Sequence, residues 1–143
     1  MTTKAGVGMS RHHNPNVAGR EAAEQALQKA GIVKPDFVFM FGAIGYDQPS
    51  LLRAVRETTG GAPLSGCSVE GTIAAEDADE SNFSVVVTAI SSDELLWHNG
   101  IATGLRGRAN RRVAYVTSGS QKAVQPPLEL PCVKSCAPIG ASS

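Results

Sequence analysis

Five consecutive positions, Phe37-Val38-Phe39-Met40-Phe41, are apolar, and this run constrains the fold more than any other stretch of the 143-residue chain. Strand side chains alternate between two faces, so a strand apolar at every position is one covered on both. Such strands belong inside parallel or mixed sheets flanked by helices. The run ends at Gly42-Ala43-Ile44-Gly45-Tyr46-Asp47, where Asp47 can cap a following helix carrying Leu51, Leu52 and Val55. Gly60-Gly61 ends that helix.

Upstream, Ala5-Gly6-Val7-Gly8-Met9 is a short apolar run that reads as a buried strand. Arg11-His12-His13-Asn14-Pro15 is a loop closing on a helix start, with Asn14 as N-cap and Pro15 at the first helical position. Val17, Ala18, Ala22, Ala26, Leu27 and Ala30 then recur at spacings of three and four, and Gly31 is the expected stop. The apolar face of this helix is mostly alanine, so it can lie close against a sheet.

Downstream of the second helix the chain is strand-like. Ala62–Ser68 leads into a turn, and Thr72-Ile73-Ala74 continues it. Residues 76–82 form an acidic polar run, expected as an exposed hairpin loop. Phe83–Ile90 is the clearest strand, and Leu95–Ile101 is expected to pair as another. Val113–Val116 is a candidate short strand, but prolines at 126, 127, 131 and 138 and the loss of any sustained period predict a disordered tail. The expected class is therefore α/β or α+β: a mixed sheet built from a strand-helix-strand-helix unit, then strands, then an irregular tail.

Charge narrows the partners. Lys plus Arg and Asp plus Glu total 13 each, yet residues 1–100 hold 7 basic and 12 acidic side chains while residues 101–143 hold 6 and 1. The basic positions of the tail are scattered around a single aromatic residue, Tyr115, so no nucleic-acid partner is expected. No apolar run approaches the ~20 residues of a bilayer span, so no membrane partner is expected either. An odd cysteine count (Cys67, Cys132 and Cys136) with no secretory leader points to a reducing, cytoplasmic setting.

Three segments carry a family resemblance. Ala18–Leu27 (AGREAAEQAL) resembles the first helix of FIST N-terminal domains. Asp36–Asp47 (DFVFMFGAIGYD) looks like their second strand and turn. Ala62–Ile73 (APLSGCSVEGTI) is similar to their Gly-Cys-Ser segment, and Ser84–Ser92 matches a valine-rich strand with a Ser-Ser-Asp turn. The resemblance covers residues 5–105 as a partial FIST N-terminal-like domain. It implies a small-molecule-binding sensory domain of a signal-transduction protein, for amino acids among other small ligands, with no catalytic activity. A further FIST portion or an output domain would be its partner. Residues 106–143 replace the family's usual continuation, as expected of a truncated or frameshifted reading frame.

The candidate contacts follow from the residues. Gly66, Cys67, Ser68, Glu70 and Gly71 combine glycines that let a ligand approach the backbone with small polar groups. The structural alternative makes the glycines a turn or bulge and Cys67 a buried small hydrophobe. Gly45, Tyr46 and Asp47 follow a strand end, where ligands of α/β sheets gather. There Tyr46 could cover a ligand and Asp47 receive its amine, although capping alone explains Asp47. Arg11, beside His12 and His13, offers a fork for a carboxylate. No ligand set for a metal is evident, since Cys132, Cys136 and His98 have no workable spacing. No cofactor is expected, because Gly6-Val7-Gly8 lacks the third glycine of a dinucleotide fingerprint and no phosphate-binding loop is present. The alternatives are a hydrolase or transferase using Cys67, which needs a base beside the thiol, and an interaction module docking a partner on an exposed strand edge.

Overall fold

The computed structural model describes residues 2–75 and 77–99. β1 (Thr3–Ser10) leads into α1 (Pro15–Ala30), β2 (Phe37–Ala43), α2 (Gln48–Thr58) and β3 (Leu64–Val69). β4 (Thr72–Ala74), β5 (Asp77–Asp79) and β6 (Val85–Ser92) complete the described elements. Four strands form a mixed sheet in the order β1-β6-β2-β3, and β4 and β5 form a separate antiparallel pair. β2 and β3 are parallel, and β6 runs antiparallel to both β1 and β2. β1, β2 and β3 therefore all end at the same side of the molecule. The fold is α+β, as expected.

Local chemistry sets the helix ends. Asn14 Oδ1 accepts hydrogen bonds from the amides of Asn16 and Val17 at 2.9 and 3.4 Å, and Gly31 closes α1 at φ 62°. Asp47 caps α2 by accepting from the Ser50 amide at 3.1 Å.

The alanine face of α1 (Ala18, Ala22, Ala23 and Ala26) is fully buried against β1 and β6. Its seat is two glycines. A Cβ on Gly6 would lie 2.2 Å from the Ala26 carbonyl oxygen, and one on Gly8 would lie 2.0 Å from that of Ala22. Helix backbone thus rests on strand backbone. α2 packs beside α1 where Gly19 meets Leu51, Ala54 and Val55. Both helices cover the face of the sheet that carries Val38, Met40, Val85, Val87 and Ala89.

The opposite face departs from the expectation that the Phe37–Phe41 strand is covered on both sides. Phe37 is buried, Phe39 is half-buried and Phe41 is 37% exposed. Among the described residues, the cover is a single crossing segment. Leu95–Asn99, expected to be a strand, is irregular. Both edges of β6 are already occupied, by β1 and β2, so this segment passes over the sheet instead. Trp97 stacks on Phe37 at 4.8 Å and meets Phe39 edge-on at 6.3 Å, and Asn99 donates to the Leu64 carbonyl at 3.0 Å. Two further expectations change. Thr72–Ala74 does not prolong β3 but turns away as β4, and the acidic run contains β5, paired Thr72↔Asp79 and Ala74↔Asp77. The strand expected at Val113–Val116 and the tail lie outside the described residues.

The glycine seat leaves no room for a methyl group. Gly8→Ala should destabilise the chain by about 1–3 kcal/mol, the usual cost of overpacking a tight contact. Urea unfolding measures this, and an unchanged midpoint would contradict the packing.

Candidate functional site

The chemistry gathers where β1, β2 and β3 end. Arg11 follows β1 directly and reaches the β4–β5 hairpin. Its Nη2 donates to Asp77 Oδ1 at 2.7 Å and its Nε donates to Asp79. Asp77 and Asp79 flank Ala78, and strand alternation sends both carboxylates to one side. These bonds, to Asp77 first and then Asp79, hold the guanidinium still more firmly in its charged form. Hydrogen bonds from Ser81, whose amide donates at 2.6 Å, hold the Asp79 carboxyl below the usual carboxylate range, and Arg11 adds to this. The clasp is open to solvent on the Arg11 and Asp77 sides, each about half exposed at 49% and 57%.

Behind the clasp, Tyr46 is 5% exposed and donates its hydroxyl to the His12 carbonyl at 2.8 Å. Its ring meets Phe83 edge-on at 5.5 Å, and His13 stacks on the same Phe83 at 4.5 Å. Tyr46 is thus a tie between the ends of β1 and β2, with no open face toward a ligand. Burial first, then the nearby charges of Asp79 and Glu21, pushes its phenol up to about 12. Gly45 hands its amide to the Asn82 carbonyl at 3.1 Å, and a Cβ there would lie 2.2 Å from that oxygen. Asp47 is engaged as the cap of α2, and hydrogen bonds from Ser50 lower its pKa.

The Gly66–Gly71 segment divides. Gly66, Cys67 and Ser68 lie within β3, paired with Met40, Phe41 and Gly42. A Cβ on Gly66 would sit 1.7 Å from the Met40 carbonyl oxygen, so this glycine permits the β2–β3 approach. Cys67 is exposed, not the buried small hydrophobe of the structural alternative. No hydrogen bond reaches its thiol among the described residues. Glu70 and Gly71 form the exposed turn into β4, at the same end as Arg11. Of the candidate contacts, Arg11, Gly45, Tyr46, Asp47, Glu70 and Gly71 therefore share one end of the sheet, while Gly66, Cys67 and Ser68 lie along its β3 edge. Asp77 and Asp79 were hidden in the acidic run. Their spacing of two around an alanine was the available signal. Cys132 and Cys136 lie outside the described residues.

Among the described residues, an open groove of about 650 Å³ runs from this end along the outer edge of β1. Glu21, Gln25 and Lys29 of α1 form one wall and Ala74 and Ala75 the other, with Val7 and Met9 on its floor. Ser10 donates to Glu21 at 2.6 Å, and the Met9 amide donates to Gln25 Oε1 at 3.3 Å.

The chain matches the FIST N domain over residues 36–126, well over half its length. It belongs to the FIST N-domain family. This is a family of sensory signal-transduction domains. The match begins at β2 and runs beyond the described residues, past the limit of 105 drawn from the sequence segments. No curated protein matches the chain. Among solved structures it is similar to an FtsZ-like protein of unknown function from Nostoc punctiforme, at 15% identity and a TM-score of 0.32, covering 63% of this chain and 89% of that one. Among the described residues of this FIST N domain, no helix is long and apolar enough to cross a membrane.

The tie at Tyr46 has a pH signature. A phenol whose folded pKa is raised favours the native state fully below the ordinary value of about 10, and that contribution is lost as pH rises toward about 12. In Tyr115→Phe, which leaves Tyr46 as the one tyrosine, tyrosinate absorbance should appear only near pH 12. Ionisation near the ordinary value would show that Tyr46 is not buried. Tyr46→Phe should cost about 1 kcal/mol in urea unfolding, through loss of the His12 bond.

Proposed function

We propose that this FIST N domain is a non-catalytic small-molecule sensor. It receives an amino acid or another small carboxylate at the shared end of β1, β2 and β3. The Arg11 clasp is the observation that carries this reading. A guanidinium fork half open to solvent is the group that takes a carboxylate in two parallel hydrogen bonds. Here it is held by two carboxylates of β5, while β4 packs on the sheet through buried Thr72, bonded to Ser84 at 2.9 Å, and Ala74. A ligand carboxylate would compete with Asp77 and Asp79 for Arg11, while the displaced aspartates would be free to meet a ligand ammonium. Glu70 and Gly71, at the base of the hairpin, border the same opening. The exchange turns ligand binding into a displacement of β5, with β4 staying on the sheet, which a further FIST portion or an output domain could read. Gly45, Tyr46 and Asp47 serve as the fixed floor against which β5 moves. The reading with Cys67 as a nucleophile has less support, because no base bonds its thiol among the described residues.

A thermal-shift panel of amino acids and small carboxylates on the full chain tests this. A ligand that binds only the native state raises the melting temperature, by about 2.7 kcal/mol of stability at a hundredfold excess over Kd. Arg11→Met should abolish that rise and also lower the unliganded melting temperature, since it leaves the largely buried Asp79 carboxylate with Ser81 alone as partner. A flat panel, or an equal rise in Arg11→Met, would overturn the proposal.

A further inference from the structure

Among the described residues, no strand pairs with the outer edge of β1. β1 is an outer strand of the sheet formed by the described residues, eight residues long, without proline. The Met9 amide donates to a side chain of α1 and not to β6, so it points outward, and strand alternation points the backbone groups of Val7 and Ala5 the same way. Such a row of donors and acceptors is a template for another strand unless something covers it. Among the described residues, Gln25 covers it at one position.

The wall above this edge carries a pattern of its own. Glu21, Gln25 and Lys29 are spaced at i, i+4 and i+8, so they form one line down α1. The line is antisymmetric in charge about Gln25. A two-fold rotation centred on Gln25 sets Glu21 against Lys29 of a second copy, Gln25 against Gln25, and Lys29 against Glu21. The same axis meets the strand near Gly8, because a Cβ on Gly8 would lie 2.8 Å from the Gln25 Cβ. The helix spacing also fits. α1 lies over β1 and β6, and strands lie about 4.8 Å apart. Joining two β1 strands therefore places two α1 helices about 10 Å apart, the distance at which helices pack. The incoming strand would bring only Ala5 and Val7 against the small wall of Ala74 and Ala75.

We propose that the chain pairs with a second copy of itself through β1, antiparallel across a two-fold axis near Gly8 and Gln25. The two four-stranded sheets become one, and Glu21 and Lys29 set the pairing. The contact is isologous, so it closes at two copies. Gln25 releases the Met9 amide to the partner strand and meets its own counterpart. This pairing does not depend on the ligand reading, and its readout is the oligomeric state alone.

Sedimentation equilibrium on the full chain is the test, with circular dichroism melts to confirm folding. The wild type should be a dimer. Lys29→Glu and Glu21→Lys should each weaken dimerisation by about tenfold or more, since each sets like charges together twice. The double variant Glu21→Lys/Lys29→Glu should recover it. A monomeric wild type overturns the proposal, as does a dimer indifferent to single reversals, which would use another surface such as the open face at Phe41. Should reversal at Glu21 unfold the chain by breaking its Ser10 bond, a second measurement decides. With Cys67, Cys132 and Cys136 replaced by serine, Gln25→Cys should form a disulfide-linked dimer on mild oxidation, and Gln28→Cys should not. Equal cross-linking at both positions, or none at Gln25→Cys, overturns the two-fold axis.

Discussion

α1 lies backbone on backbone against β1, and the rest of the domain is arranged around that contact. It requires two partners that give up their side chains. β1 places Gly6 and Gly8 on the covered face, and α1 answers with Ala22 and Ala26. Because the approach is so close, a helix of modest hydrophobicity can still exclude water from β1 and β6. The flank of α1 away from α2 then overhangs the edge of β1, where Glu21, Gln25 and Lys29 line the groove. The other flank receives α2 at Gly19.

The same contact fixes where chemistry can occur. With both helices on one face, the loops that follow β1, β2 and β3 emerge together at one end. Tyr46 ties two of them by donating to the His12 carbonyl, and Arg11 reaches across to the hairpin. The inner parts of this end are engaged in structure: Asp47 caps α2, Gly45 holds Asn82, and Tyr46 is buried. The outer part, the clasp, is held by an Arg11–Asp77 pair open to solvent and an Arg11–Asp79 pair whose carboxylate is largely buried. This end thus divides into a rigid floor and a clasp that is open on its Arg11 and Asp77 sides.

Much of this was legible in the residues because it is local. Asn14 with Pro15, Gly31 and Asp47 announce helix ends through groups a few residues apart, and the alanine periodicity of α1 announced a close approach to a sheet. What escaped depends on distant partners. β5 looks like a solvated acidic loop because the cation that stabilises it, Arg11, lies 66 positions before Asp77 and 68 before Asp79. Leu95–Asn99 has the composition of a strand, and only the occupied edges of β6 divert it over Phe37. The Phe37–Phe41 run shows where burial is wanted, but not that the described residues supply only a narrow cover on one side. The exposure of Cys67 follows from β3 being an outer strand among the described residues, which no local pattern records.

The seat of α1 on β1 is the claim from which the site and the edge both follow, and nuclear Overhauser spectroscopy reads it directly. The contact brings the α-protons of Gly8 close to the backbone of Ala22 and Ala26, and those of Gly6 close to Ala26 and Ala30. Strong cross-peaks between those glycine α-protons and the alanine backbone protons are the predicted result. Their absence in a folded chain whose β1–β6 pairing is intact would contradict the account.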